Sequence, residues 1–437
     1  MGIALPRARD RLRGPGPQPA GRWAARRPRC APPGSGGWGG GAVTEIVSHP
    51  TRVRALREST KALRDAEFPW TADTVYLNNA SIGPIPERTR RVVDAFTAKR
   101  TAPHLLPDRD LQAGLAAARD AAARLINADT GEIALATNTS WGLNLAARAL
   151  PVLPGEKIVV SDREFPANVY PWLLLKKDGI EVELAPCRAE GWPDEDALLE
   201  RLRDPRVRVL AVSFVQFSNG YRADLKRLGA ACRANGTYLV VDGIQGVGNM
   251  ELDVRETPVD VLACGGQKWL LSPWGSGFVY VRKELVPRLE PTVTGWMAFE
   301  GTDDFSRLTE YNPNFRADAR RFELITLPFQ DFYGFTSSVD MLLEIGIRDI
   351  AECTRALHEP VLKWADAHDV RVVSPRDDKH HSAILCLAPA KAVEAFYAVK
   401  RARIVCSLRE GAIRLSPHCY NTMEEMEKVI DVLEGVV

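Results

Sequence analysis

Hydrophobic positions along this chain follow two periods that take turns. Short apolar runs of strand type recur as EIALATN, KIVVSD, EVELA (residues 181–185), VRVLAVSFV, TYLVVD, VDVLACG and GFVYV. Between them lie stretches with the 3.6-residue spacing of amphipathic helices, among them LQAGLAAARDAAARLINA from residue 111, DEDALLERLRD and DLKRLGAACRANG. Strands alternating with helices predict βαβ units, and hence a mostly parallel sheet sandwiched by helices. Strands buried on both faces must be apolar throughout, as most of these are. In such sheets ligands gather at the carboxyl ends of the strands, so chemistry is expected just after each run.

The alternation stops over residues 292–314, a polar loop containing Gly and Pro. A long helical stretch at 332–345 follows, then DIAECTRALHEPVLKWADAH. After these come short strands VRVVSP and HSAILCLA, a helix around 391–400, strands RIVCSL and AIRLSP, and a closing helix EEMEKVIDVLEG. The pattern predicts a large domain over 43–304 and a smaller C-terminal α/β domain over 305–437, in keeping with a length of 437 residues.

Residues 1–42 fit neither domain. They carry eight Arg and one Asp, a net of +7 that leaves −6 for the rest, and are rich in Pro and Gly. Such a segment cannot bury enough apolar surface to offset its ordering entropy, so it is expected to be a disordered extension. It lacks the apolar core of a secretory signal, and a start codon assigned too far upstream, with the working chain beginning near Val43, is the alternative to a disordered extension. With a net charge of +1 overall, no excess points to nucleic acid or a membrane surface. A nucleic-acid-binding tail is the minor alternative that the Arg-rich start keeps open. No apolar run reaches the roughly 18–20 residues of a membrane span. Eight scattered cysteines without a CxxC pair predict reduced thiols, no metal site and a cytoplasmic setting.

Three places carry candidate chemistry. In LACGGQKWLLSPWGSGFVYV a strand ends in two glycines, then Gln267 and Lys268, placing a lysine against backbone at a strand end. In TYLVVDGIQGVG, Asp242 directly follows a wholly apolar strand. A carboxylate buried there is costly without a cationic partner, unless it caps a helix. In ALATNTSWGLNLAARAL a small polar cluster opens a helix. The helix-start N–H groups and the Thr139 and Ser140 hydroxyls suit an anion such as phosphate.

These motifs, with YLNNASIGPIP, EFPANVYPW, VSFVQFSNG, TGWMA and LREGAIRLSPHCYNT, occur in one order from about residue 70 to the C-terminus. Together they resemble the class V aminotransferase family, the fold-type I group of pyridoxal-phosphate enzymes, and most closely its isopenicillin N epimerase-like branch. The resemblance implies a homodimeric fold-type I α/β enzyme with active sites shared between domains and subunits, using pyridoxal 5'-phosphate on an amino-acid substrate. Carried over position by position, Lys268 would hold the cofactor as a Schiff base and move protons at the substrate α-carbon. Asp242 would pair with the pyridinium nitrogen, whose protonation makes the ring an electron sink. Gln245 and Gln216 would face the ring oxygen, and Phe165 would stack on the ring. Thr139, Ser140 and Gln267 would hold the phosphate, with Trp296 reaching it across the dimer interface. Arg414 would bind the substrate carboxylate through its planar fork, with Asn79 and Ala80 beside the substrate.

Departures from the family bear on the reaction. Desulfurases carry their nucleophilic cysteine in a mobile loop, whereas Cys406 falls within an expected strand, eight residues before Arg414, where burial is expected. Gln267 stands where desulfurases place a His, and Gly265 where a serine is usual. The expected reaction is a lyase step at the α-carbon, β-elimination or C–S cleavage, in secondary metabolism. Aminotransfer or epimerisation is the alternative, and a non-catalytic protein would have lost Lys268 or Asp242.

Overall fold

The computed structural model describes residues 60–436, so the expected extension at 1–42 lies outside the described residues. A short strand β1 (Val75–Tyr76) precedes the alternating region, which forms one seven-stranded sheet. Its strands are β2 (Ile133–Leu135), β3 (Lys157–Ser161), β4 (Glu181–Ala185), β5 (Val207–Ser213), β6 (Tyr238–Asp242), β7 (Val261–Gly265) and β8 (Gly277–Val281). Their order is β2-β8-β7-β6-β5-β3-β4, with β3 to β7 parallel and β8 antiparallel to β7 and β2.

Period two sorts these strands between two cores. Leu239, Val241, Leu262 and Cys264 pack on one face with the helices Asp108–Ile126 and Leu225–Ala234. Tyr238, Val240, Val261 and Ala263 pack on the other with the helix Thr139–Ala149. That helix lies close because Gly142 has no Cβ; one there would sit 2.6 Å from Ala263 Cβ and Val279 Cγ2.

The C-terminal region builds a second, antiparallel sheet. Its pieces are β9 (Arg371–Val372), β10 (Leu385–Ala388), β11 (Ile404–Val405), β12 (Ser407–Arg409) and β13 (Ala412–Leu415). The sheet runs β12-β13-β10-β9, while β11 pairs in parallel with β1. The run expected as one strand, RIVCSL, thus divides at Cys406, because its halves pair with different partners. Val75 and Leu77 join Leu385, Ile413 and Val429 in a third core, so the segment before the large sheet folds with the C-terminal part. Conversely, Phe332, Phe335 and Val339 of the helix Phe329–Ile345 belong to the core of the large sheet. The helix Glu87–Arg100, which the pattern does not signal, buries only Thr89 and Phe96.

Candidate active site

The loops that follow β3, β5, β6 and β7 converge at the carboxyl edge of the large sheet, where α/β folds place their ligands. Asp242 ends β6, buried, and lies beside Ser213 of β5 and Ala263 of β7. No helix starts after it; its Oδ1 accepts one hydrogen bond, from the Ile244 N–H at 3.1 Å. The carboxylate is therefore not a helix cap, and no ion pair neutralises it among the described residues. Burial pushes it up to about 6, against that N–H and the charge of Lys268.

Lys268 follows β7 within reach of that charge. Burial pushes its amine down to about 8, opposed by Asp242 and aided by Arg414. Its Nζ stands 5.6 Å from the centre of the half-exposed Phe165 ring, which is braced edge-on by Phe217. The backbone there is pinned by Gly83, whose N–H donates to the Gln267 carbonyl at 2.9 Å. A Cβ on Gly83 would fall 2.0 Å from the Lys268 carbonyl oxygen, so only glycine allows this approach.

A second buried carboxylate, absent from the sequence reading, stands behind Phe165. Glu164 accepts from the Ser213 N–H at 2.9 Å, the Ser213 hydroxyl, the Gln216 amide at 2.5 Å and Asn168 Nδ2 at 3.1 Å. Burial pushes it up to about 7 against the bonds from Ser213 and Asn168, and Asp242 pushes the same way. With Nε2 of Gln216 committed to Glu164, its Oε1 is buried with no partner. The signal was available: Glu164, like Asp242, is an acid just past an apolar strand.

Arg414, on β13, is 2% exposed. Its Nη1 donates to the Phe217 carbonyl at 2.6 Å and its Nη2 to Ser81 Oγ at 2.7 Å, while its Nε is buried with no partner. No carboxylate pairs with it among the described residues. Burial pulls it down to about 10. Asn79 and Ala80 lie in the same loop but serve the scaffold. Asn79 donates to the Ser416 carbonyl at 2.8 Å and accepts from the Tyr420 hydroxyl at 2.9 Å. The Ala80 N–H donates to Ser416 Oγ at 3.1 Å, and its carbonyl accepts from Gln245 at 3.0 Å. Gln245 also accepts from Trp269 Nε1 at 2.9 Å, which leaves one N–H of its amide uncommitted. Ser81 is the residue of this loop that reaches the guanidinium, and the sequence reading passed over it.

At the far end, Asn138 caps the helix Thr139–Ala149 by accepting from the Trp141 N–H. Thr139 Oγ1 accepts from the Gly265 N–H at 2.9 Å. A Cβ on Gly265 would come within 2.6 Å of Gln267 Oε1 and 3.2 Å of Thr139 Oγ1, so these side chains close on the missing serine's position. Exposed Ser140 borders a cavity of about 440 Å³ with Thr137, Asn138 and Arg148. Trp296 is 44% exposed and meets Phe305 edge-on.

These residues fit pyridoxal phosphate on their own chemistry. A carboxylate without an ion pair among the described residues, a lysine of lowered basicity, an aromatic face and a helix start with polar side chains lie along this edge, each suited to one part of the cofactor. Cys406 is buried and its thiol pushed up to about 12, as expected of a structural cysteine.

A family model described as aminotransferase class-V matches residues 75–429. A probable cysteine desulfurase of Pyrococcus abyssi is 29% identical over 395 residues, covering 85% of this chain and 96% of that protein. Isopenicillin N epimerase of Streptomyces clavuligerus is 29% identical over 382 residues, 83% of this chain and 94% of its own. The apo structure of a cysteine desulfurase from Thermococcus onnurineus superposes with a TM-score of 0.77 at 24% identity, covering 86% and 98%, and shows the same fold.

Proposed function

The chain belongs to the class V aminotransferase family, and we propose that within it this protein is a lyase for amino acids with a leaving group on the β-carbon. It is a pyridoxal-phosphate-dependent enzyme of fold type I. The observation that carries the reading is Arg414, a buried guanidinium with a free Nε and no acid partner among the described residues, whose charge reaches Lys268. Such a group is costly until an anion arrives, and an α-carboxylate completes it. Docked there, the amino acid presents its Cα to the Lys268 amine.

When bound, the cofactor supplies the electron sink for a carbanion at Cα. Asp242 would hold the proton on its ring nitrogen, and Gln216 and Gln245 would face its ring oxygen. Thr139, Ser140 and Gln267 would hold its phosphate. Lys268, of lowered basicity, is fitted to take the Cα proton near neutrality. The side chain facing its amine, Phe165, carries no proton. One base suffices for elimination. Half-exposed Trp296, with exposed Trp274 and Tyr311, supports a homodimer in which Trp296 reaches the partner's phosphate site. Free thiols at all seven described cysteines support a cytoplasmic setting, and no described helix is long and apolar enough to cross a membrane.

Borohydride reduction should fix the cofactor on Lys268, located by peptide mass. The reduced protein's unmodified counterpart, given S-substituted cysteines without an amino acceptor, should release pyruvate and ammonia in equal amounts. Label on another lysine would remove the site; keto acid formed only with an acceptor would make the enzyme an aminotransferase.

A further inference from the structure

A second guanidinium shares the face of Arg414. In the β12–β13 hairpin Ser407 stands opposite Arg414 and Arg409 opposite Ala412. Residues opposite each other, and residues two apart, share a face of an antiparallel pair. Arg409 and Arg414 therefore rise from one face as diagonal neighbours, roughly 7–8 Å apart. Arg409 is exposed, and its Nη1 donates to the Leu408 carbonyl at 3.0 Å. No carboxylate pairs with it among the described residues. Its charge is felt at both Arg414 and Lys268, beneath the larger effect of burial on each.

Arg409 and Arg414 thus share a sheet face, and the charges of both bear on Lys268. Like charges set diagonally on a sheet face oppose each other unless an anion lies between them. One carboxylate, docked on buried Arg414, leaves the charge of exposed Arg409 unanswered. We propose that Arg409 is a specificity residue, and that the preferred amino acid carries a second anionic group on its side chain, which Arg409 receives while Arg414 holds the α-carboxylate. The shared chemistry is a terminal cluster of anionic oxygens, whether a carboxylate or a sulfur oxyanion. This rests on Arg414 being the α-carboxylate site.

The test titrates holoenzyme with isosteric pairs, L-glutamate against L-glutamine and L-aspartate against L-asparagine, with L-cysteate as the sulfur oxyanion. The change in cofactor absorbance reports binding. Each acid should bind roughly tenfold or more tightly than its amide. In Arg409→Gln the acid-to-amide ratio should fall to near one, and Arg409→Lys should keep part of it. High salt should shrink the ratio, because the group is exposed. Equal binding of acids and amides by the unaltered enzyme, or a preference that survives Arg409→Gln, overturns the proposal. The underlying reading fails differently: an Arg414→Lys enzyme that binds acids and amides as tightly as before would show that Arg414 is not the α-carboxylate site. The tightest binder among glutamate, aspartate and cysteate identifies the anion.

Discussion

Two arginines, one partly buried and one fully, have opposite fates in the same fold. Arg119, on the helix Asp108–Ile126, meets Glu323 through a fork of two bonds, 2.7 and 2.6 Å, and one oxygen of that carboxylate also accepts from the Leu135 N–H at 2.9 Å. Arg414 is more deeply enclosed, at 2% exposed, yet meets a carbonyl and a hydroxyl and leaves Nε without a partner. The first charge is neutralised inside the protein and ties a helix to the start of the large sheet. The second is held rigid and unneutralised, the condition of a group kept for a ligand. Asp242 and Lys268 share this second condition, since burial dominates the titration of each. Burial alone does not separate scaffold from site; the completeness of the partner set does.

The contrast breaks most visibly at Lys268. Lys268→Ala should lower turnover by roughly 10²–10⁴-fold, as expected for the loss of a positioned proton carrier. The urea midpoint of the cofactor-free protein should not fall, because no hydrogen bond holds the amine among the described residues. A variant with near-normal turnover would remove Lys268 from the chemistry. The scaffold pair should behave in the reverse way. Arg119→Leu leaves Glu323 buried and unpaired, which typically costs about 3–5 kcal/mol. Arg414→Met abandons no carboxylate and should cost at most about 1–2 kcal/mol for the two acceptors it deserts. Urea denaturation of the two cofactor-free variants gives the comparison directly. Equal losses would mean that Arg414 is a structural residue.

Much of this was legible in the sequence because it is periodic or terminal. Apolar runs such as TYLVVD gave the sheet, and the rule that ligands sit past strand ends singled out Asp242, Lys268 and Thr139. Glu164 obeyed the same rule and was missed, since it is separated from its strand by Asp162 and Arg163 and sits beside a more familiar aromatic position. Ser81 and the pairing of β1 with β11 depend on contacts more than 300 residues apart in sequence, which no local pattern encodes. The helix Glu87–Arg100 escaped because it buries too little for an apolar stripe to show. The division of RIVCSL at Cys406 is likewise a matter of partner choice, not of propensity.

The contrast can also be tested at Asp242, through pH. Burial disfavours its charge and pushes its carboxyl up from the ordinary Asp value, about 4, to about 6 in the cofactor-free fold. Between these values the folded protein binds more protons than the unfolded chain, so stability falls as pH rises from about 4 to 6 and stays lower above. Asp242→Asn keeps the shape and removes the titration. At pH 7 the cofactor-free variant should therefore be more stable than the unaltered protein by about 1–3 kcal/mol, the upper end following from about 1.4 kcal/mol per pH unit. The gain should vanish below about pH 4, where the carboxyl is protonated in both states. With cofactor bound the sign should reverse, because Asn offers no charge to the ring nitrogen and cofactor affinity should fall. Urea midpoints at pH 4, 6 and 7.5, with and without cofactor, measure all of this. A cofactor-free Asp242→Asn protein that is less stable at pH 7.5 would place Asp242 with Glu323, among the charges that hold the fold together.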